Sequence, residues 1–346
     1  MINSTAKPRC PVCKSHSEIL HGGLRDQLFG APGDWSLRRC AATPCGLLWL
    51  DPCPVEADIA KAYQTYYTHA DTEKKPLIRS HLVAAVRDFF VGVVTTLCGQ
   101  RQEKIDIAHM YLRDMPLGRV LDIGCGEAKF LHRMQQTGWE VQGIDFDASA
   151  ASNAKKLFDI DVQVGKLEDV KFPDGTFDAI TMNHVIEHVF DPVALLQEAR
   201  RILKPGGRLV MVTPNALSMG HRVFGRFWRG LEPPRHIQIF TPSSLDTVAR
   251  SAGLAVNKVF TTAVNGWIIF SASSALQRHQ GLCSTTKLCG HEKPTRGEQI
   301  QGLKLQLRES FRLKQHPADG EEIVLIAVNE SANPVLTVTS PPTNAA

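Results

Sequence analysis

A short loop with two glycines, Gly124-Cys125-Gly126, most constrains what this chain of 346 residues can fold into. Apolar residues typical of a buried strand occupy 119–124, and a helical pattern follows the loop. Glycine lets backbone amides approach a bound group closely, and open α/β sheets bind their ligands at the carboxyl ends of parallel strands. The segment therefore predicts a parallel sheet with a ligand-binding loop after its first strand.

Apolar strands alternate with helical segments along the rest of the chain. Six further strands are predicted, at 140–145, 161–165, 177–183, 207–213, within 255–264, and at 321–328. A helix is expected to begin after Asp191-Pro192 and to end before Lys204, because an Asp N-cap followed by Pro favours helix initiation. A polar loop is expected at 281–299. The alternation predicts an α/β fold with helical crossovers.

Three residues near the loop narrow the choice of cofactor. Lys129 stands where a dinucleotide-binding loop carries its third glycine, which disfavours a nicotinamide dehydrogenase. Asp122 would repel a pyrophosphate but suits the cationic amino end of S-adenosylmethionine. Asp145 ends the second strand, where a carboxylate can accept hydrogen bonds from both ribose hydroxyls.

Four sequence runs together resemble the class I S-adenosylmethionine-dependent methyltransferases: VLDIGCGEAKFL, VQGIDFD, FPDGTFDAITMNHVIEHVFDP and RILKPGGRLVMVTPN. The resemblance covers about residues 117–265 and the closing strand near 325. It implies a Rossmann-like, seven-stranded sheet in the order 3-2-1-4-5-7-6 with the last strand antiparallel. It also implies methyl transfer from S-adenosylmethionine.

The same resemblance implies which residues contact S-adenosylmethionine. They lie in the loop and at the following strand ends: Asp122, Gly124, Cys125, Gly126, Asp145, Phe146, Leu167 and Asn183. One position departs from the family, since Lys166 replaces an Asp that meets the adenine amino group in many relatives. Lysine cannot accept a hydrogen bond. Adenine contacts are therefore expected from the Leu167 backbone or from Glu168.

Paired cysteines near the start of the chain predict a metal site. Cys10, Cys13, Cys40 and Cys45 form two close pairs, and four thiolates at such spacings can converge on one tetrahedral Zn²⁺. A closed Cys₄ site would be structural, stabilising a segment too small to fold alone. Four reduced thiols or a CxxC redox pair are the alternatives, and His16 or His21 could replace one ligand.

A zinc-ribbon-like segment ahead of this core is similar to sugar C-methyltransferases and to methyltransferases of surface-polysaccharide gene clusters. The similarity rests on CPVC and CGLLWLDP. It implies a small-molecule acceptor, such as a sugar or a nucleotide sugar. A catalytically inactive zinc-ribbon and Rossmann-like binding module, working within an assembly, is the alternative function.

Candidate catalytic residues follow the fourth strand and lie in a later insertion. Methyl transfer mainly requires alignment of the acceptor with the methyl group, and a base can assist. His188 is the first candidate base because the resemblance includes the pair Glu187-His188, and His236 is the second. His184 is a third histidine in reach. Each of these side chains could instead hold a loop in place.

An insertion rich in aromatic and basic residues, at 214–242, is expected above the cofactor end of the sheet. It could cover a substrate and exclude water. Arg226 and Arg229 could bind a phosphate or carboxylate. The insertion could equally contact a membrane surface or a partner, and the sequence leaves these roles open.

The chain divides into four predicted parts. These are a zinc-ribbon-like module (1–54), a helical linker or cap (55–116), the methyltransferase domain (117–329) and a disordered tail (330–346). A net charge of +4 without a concentrated basic block argues against a nucleic-acid partner. The sequence shows neither an export signal nor a membrane-spanning run, so a cytoplasmic protein is expected. The oligomeric state is left open.

Overall fold

The computed structural model describes residues 1–63, 92, 96, 99–279 and 293–330. Five short strands belong to the N-terminal module: β1 (Ser4–Thr5), β2 (Ser17–Leu24), β3 (Trp35–Cys40), β4 (Leu48–Leu50) and β5 (Cys53–Pro54). Strands β2, β3 and β4 form an antiparallel sheet, and β1 pairs with β5.

Eight further strands follow: β6 (Arg119–Ile123), β7 (Glu140–Asp145), β8 (Val162–Val164), β9 (Phe177–Asn183), β10 (Leu203–Pro214), β11 (Gln238–Ile239), β12 (Ala255–Thr262) and β13 (Glu322–Val328). All of them except β11 form one sheet in the order β8-β7-β6-β9-β10-β13-β12. Strand β13 is antiparallel to both of its neighbours. This confirms the predicted order 3-2-1-4-5-7-6 and the Rossmann-like class.

Nine α-helices connect or flank these strands in the described part of the chain: α1 (Arg101–Ala108), α2 (Lys129–Gln136), α3 (Ala148–Phe158), α4 (Leu167–Val170), α5 (Pro192–Ile202), α6 (Met219–Phe224), α7 (Pro242–Ser251), α8 (Gly266–Arg278) and α9 (Arg296–Arg312). Helix α5 begins as predicted, since the Asp191 carboxylate accepts a hydrogen bond from the Ala194 N–H. None of these helices is long and apolar enough to cross a membrane.

The prediction of a polar loop over 281–299 is wrong for its last four residues, because α9 begins at Arg296. Thr295 and Glu298 form a reciprocal capping box that stabilises this helix start, which the polar composition concealed. Residues 280–292 lie outside the described part. So do the predicted tail beyond residue 330 and residues 64–91 of the predicted helical linker. The described linker forms a 3₁₀ helix, Glu56–Tyr63, and helix α1.

The central sheet buries alternating side chains on its two faces. Leu121 and Ile123 of β6 enter one core cluster, whereas Val120 enters the cluster on the opposite face. Residues of the N-terminal module, among them Leu47 and Trp49, join the first cluster. The module therefore packs directly on the sheet.

The insertion and the N-terminal module share a sheet. Strand β11 lies in the insertion and pairs antiparallel with β4, with Gln238 opposite Trp49 and Ile239 opposite Leu48. A second apolar cluster forms around this seam from both segments, including Trp35 and Trp228. The seam fixes the position of the insertion over the carboxyl ends of the central strands.

Candidate active site

The glycine loop after β6 has a backbone that requires glycine. Gly124 and Gly126 have φ values of +71° and +52°, in the left-handed region that side chains disfavour. A Cβ at Gly124 would lie 2.5 Å from Cγ2 of Val185. The Gly126 N–H donates to Oδ2 of Asp145 at 2.8 Å, so the loop is tied to the end of β7.

Asp145 is buried at the end of β7, where it was expected to meet a ribose. Its Oδ1 accepts a hydrogen bond from the Asp147 N–H at 2.9 Å, while Oδ2 accepts from Gly126. Burial raises the pKa of this carboxyl, and the backbone donors oppose that change. Each oxygen of a carboxylate can accept a further hydrogen bond. The geometry is compatible with ribose binding, which remains a prediction.

Asp122 lies beneath the loop and is almost completely buried. Its Oδ1 accepts a hydrogen bond from the Thr181 hydroxyl at 2.6 Å. Burial raises the pKa of Asp122 to about 7, although the Thr181 hydroxyl stabilises the charged form. A nearby cation would lower this pKa. The predicted interaction with a cationic amino group would therefore change the protonation of Asp122.

The other predicted cofactor residues surround the same edge of the sheet. Phe146 is exposed, Asn183 is exposed at the tip of β9, and Leu167 is buried at the start of α4. Cys125 is buried within the loop. Lys166, which departs from the family pattern, forms an ion pair with Glu56 of the linker. Contacts of these residues with a cofactor remain predictions.

A 3₁₀ turn after β9, Ile186–His188, brings Glu187 into the interior. The Glu187 side chain is fully buried, and it accepts hydrogen bonds from the Thr213 hydroxyl at 2.9 Å and from His184 at 3.1 Å. Burial would raise the pKa of Glu187, but the bond to His184 and the nearby imidazoles outweigh it and lower the pKa to about 2. Glu187 is therefore an ionised carboxylate held from two sides.

His184 lies between two carboxylates. Its Nδ1 contacts Glu187, and its Nε2 lies 2.8 Å from Oε1 of Glu322. Burial favours the neutral ring, but the two hydrogen bonds outweigh it and raise the pKa of His184 to about 10. Both ring nitrogens thus face carboxylates, so neither is directed at an acceptor, and the geometry disfavours His184 as the general base.

His188 and His236, proposed as alternative bases, lie against each other. Their ring centroids are 4.7 Å apart. Nδ1 of His188 is 3.0 Å from the Arg235 carbonyl, and Nδ1 of His236 is 2.8 Å from the Gly230 carbonyl. Burial and the neighbouring His188 lower the pKa of His236 to about 4, so this ring is neutral. The insertion thus adds a second imidazole to the turn after β9.

Tyr63 is a site residue that the sequence reasoning missed. Its hydroxyl lies 3.1 Å from Nδ1 of His188, and its ring packs edge-on against Phe146 at 5.0 Å between centroids. It therefore contacts both the predicted cofactor side and the candidate base. Tyr63 ends a short 3₁₀ helix, for which no periodic sequence signal exists.

The arginines of the insertion serve internal contacts. Arg226 donates to the carbonyls of Gly22 and Gly23, and Arg229 pairs with Glu232. The expectation that these arginines bind a substrate phosphate is therefore not supported by their geometry. A third arginine of the insertion is completely buried and forms ion pairs with two carboxylates, as a triad of Asp26, Glu232 and Arg235.

The four N-terminal cysteines converge as predicted. The Sγ atoms of Cys10 and Cys45 are 3.7 Å apart, those of Cys13 and Cys40 are 3.3 Å apart, and all four lie within 4.8 Å of one another. Tetrahedral Zn–S bonds of about 2.3 Å place sulfur atoms about 3.8 Å apart. The cluster thus fits a structural zinc ion. His21 instead contacts His221, with 3.1 Å between their Nε2 atoms.

Comparisons with known proteins find similarity to methyltransferases. The family model described as "Methyltransferase domain" matches residues 95–259. A ubiquinone biosynthesis O-methyltransferase of Xanthomonas oryzae is 31% identical over 166 residues, which cover 46% of this chain and 61% of the relative. One from Xanthomonas campestris is 35% identical over 107 residues, which cover 29% of this chain and 45% of that relative.

A solved S-adenosylmethionine-dependent methyltransferase of Archaeoglobus fulgidus aligns with 71% of this chain and 99% of its own, at 20% identity and a TM-score of 0.43. This chain spans about three fifths of the length of the first curated relatives that it matches.

Proposed function

We propose that this chain, which carries a class I S-adenosylmethionine-dependent methyltransferase domain, transfers a methyl group from that cofactor to a small-molecule acceptor beside His188. One observation carries the proposal. The glycine loop tied to Asp145 and the imidazole pair of His188 and His236 lie at the carboxyl ends of neighbouring parallel strands. Open α/β sheets bind their ligands at this edge.

The proposed cofactor site is formed by groups whose conformations are already fixed. Asp145 would bind the ribose hydroxyls, and the backbone at Gly124 and Gly126 would approach the cofactor closely. Asn183, at the exposed tip of β9, would contact the methionine portion. S-adenosylmethionine supplies a methyl group already activated by its sulfonium. The protein has to align an acceptor with that methyl group.

On the acceptor side, His188 is the proposed general base. Its Nδ1 faces the Arg235 carbonyl, which can only accept a hydrogen bond, so Nδ1 carries the proton and Nε2 keeps a lone pair. Tyr63 contacts the same nitrogen and helps to hold the ring. His236 is the second candidate, since its Nδ1 likewise faces a carbonyl. Proton removal from an acceptor hydroxyl would accompany methyl transfer.

A sugar or nucleotide sugar is the first proposed acceptor class. It is supported by the Cys₄ module ahead of the methyltransferase domain, the arrangement on which the resemblance to sugar C-methyltransferases rests. A phenol is the second candidate, since the matched Xanthomonas relatives are named ubiquinone biosynthesis O-methyltransferases. The two classes are distinguished by which compound is methylated.

The test is a screen for S-adenosylhomocysteine formation with nucleotide sugars and with small phenols, with cofactor binding measured on the same protein. Product formation with one class and not the other assigns the acceptor. Cofactor binding without turnover on either class would favour the alternative of a binding module. Absence of cofactor binding would reject the proposal.

A further inference from the structure

Glu187, His188 and His236 form a compact set of metal-ligand types at the proposed acceptor site. One ligand atom from each lies within 4.8 Å of the other two. The first two belong to the turn after β9, whereas His236 comes from the insertion. The fold therefore brings two imidazoles and a carboxylate together from distant parts of the chain.

The surroundings of these side chains resemble the outer shell of a metal site. Imidazoles that bind metals usually donate their other N–H to a carbonyl or carboxylate, which fixes the ring and the tautomer. Both imidazoles do so here: Nδ1 of His188 faces the Arg235 carbonyl at 3.0 Å, and Nδ1 of His236 faces the Gly230 carbonyl at 2.8 Å. In the neutral form of each ring the opposite nitrogen, Nε2, therefore carries the lone pair. Nε2 of His236 also lies 3.9 Å from Oε2 of Glu232.

The carboxylate is held in the same manner. Glu187 accepts hydrogen bonds from the Thr213 hydroxyl and from His184, and its side chain has no exposed surface. Hydrogen bonds to a carboxylate ligand fix its orientation before an ion arrives. His236 is buried and His188 is only half-buried, which leaves the cluster open on the His188 side.

We propose that Glu187, His188 and His236 bind a divalent first-row transition-metal ion. Two imidazoles and one carboxylate suit ions such as Mn²⁺, Fe²⁺ or Co²⁺ and leave coordination positions open. This site differs in chemistry from the Cys₄ cluster, whose thiolates select softer ions such as Zn²⁺. The two sites can therefore be loaded separately.

The role of this ion rests on the proposed methyl transfer. A divalent cation favours the ionised form of a bound hydroxyl, which makes its oxygen a better nucleophile. The proton leaves to solvent, the new C–O bond forms as the C–S bond breaks, and S-adenosylhomocysteine departs. In the metal-loaded state both imidazoles would be ligands, so His188 would no longer accept the proton. The ion would instead lower the pKa of the bound hydroxyl, which then loses its proton to solvent. The acceptor class is then a hydroxyl compound able to reach the cluster.

The test is a titration of the zinc-loaded protein with Mn²⁺. Binding is measured as the loss of the electron paramagnetic resonance signal of free Mn²⁺. We expect one Mn²⁺ per chain. His188→Gln and His236→Gln should each weaken binding by about tenfold or more. His316→Gln, which changes an exposed imidazole distant in sequence, is the matched control and should bind normally.

Near-ultraviolet circular dichroism of each variant verifies that it is folded. No Mn²⁺ binding by the wild type, or equal binding by the folded His188 and His236 variants, would overturn the proposal. Titration with S-adenosylmethionine in zinc-loaded protein without added Mn²⁺ separates this outcome from the proposed function. Normal cofactor binding without Mn²⁺ binding would reject only the metal site.

Discussion

The Thr241 hydroxyl donates a hydrogen bond of 2.6 Å to the backbone carbonyl of Cys45. This bond joins the N-cap of α7 to one of the four clustered cysteines. It lies next to the pairing of β11 with β4, and a single residue, Ile237, separates His236 from β11. A series of hydrogen bonds and strand pairings thus links the Cys₄ cluster to the acceptor side of the proposed active site.

Removal of the metal from the Cys₄ cluster should destabilise the protein and loosen this connection. Protein purified without added zinc should contain about one equivalent, and removing it should lower Tm by roughly 5 °C or more. Cys13→Ser should have the same effect, whereas Cys53→Ala, outside the cluster, should keep the zinc. Metal analysis and calorimetry measure both quantities. A metal-free protein with four freely titratable thiols in the native state would contradict the account.

The buried Arg235 should be essential for stability. It pairs with Asp26 and Glu232, each at 2.8 Å, so its removal leaves the buried Asp26 without its cation and leaves Glu232 with Arg229 as its remaining arginine partner. Arg235→Met should lower the free energy of unfolding by about 3–5 kcal/mol. Arg226→Met, at an exposed position of the same insertion, should change it by less than about 1 kcal/mol. Similar denaturation midpoints for the two variants would show that the buried triad is not needed.

Cofactor affinity should depend on the protonation of Asp122. Its pKa of about 7 in the free protein would fall when a cationic amino group binds nearby, so binding releases a proton. Affinity should therefore decrease as the pH falls below 7, by up to about tenfold per pH unit, because Asp122 becomes protonated. Calorimetry across this range tests it, with Asp122→Asn as the control that should flatten the profile. An unchanged slope in that variant would assign the pH dependence elsewhere.

Substitution of His188 should affect turnover far more than cofactor binding. If His188 accepts the acceptor's proton, His188→Ala should reduce turnover by about 10² or more while S-adenosylmethionine binds nearly as before. The same substitution at His236 then separates the two imidazoles. Full turnover in both variants would leave alignment alone as the source of catalysis.

The sequence predicted the central sheet well because local patterns determine it. The apolar strand periods, the glycine loop at Gly124 and the Asp191 cap each depend on residues close in the chain, and the structure has all three. The capping box that starts α9 was overlooked within a polar stretch, although its Thr295 and Glu298 are visible in the sequence.

The contacts around the candidate base could not be predicted in this way. Tyr63 meets His188 across 125 residues, and Glu322 meets His184 across 138. No local pattern indicates which of several nearby histidines lies between two carboxylates. The distinction between His184, held between two carboxylates, and the candidate base therefore required the tertiary structure.

The most direct test of the central claim is a calorimetric titration of the full chain with S-adenosylmethionine. We predict one site per chain with a Kd on the order of 1–100 μM. Asp145→Ala should weaken it by about tenfold or more, because the proposed ribose acceptor is lost. Asp161→Ala is the control: it removes an exposed acid directly before β8, the strand next to β7, and should not weaken binding. No binding by the wild type, or equal binding by Asp145→Ala, would contradict the account.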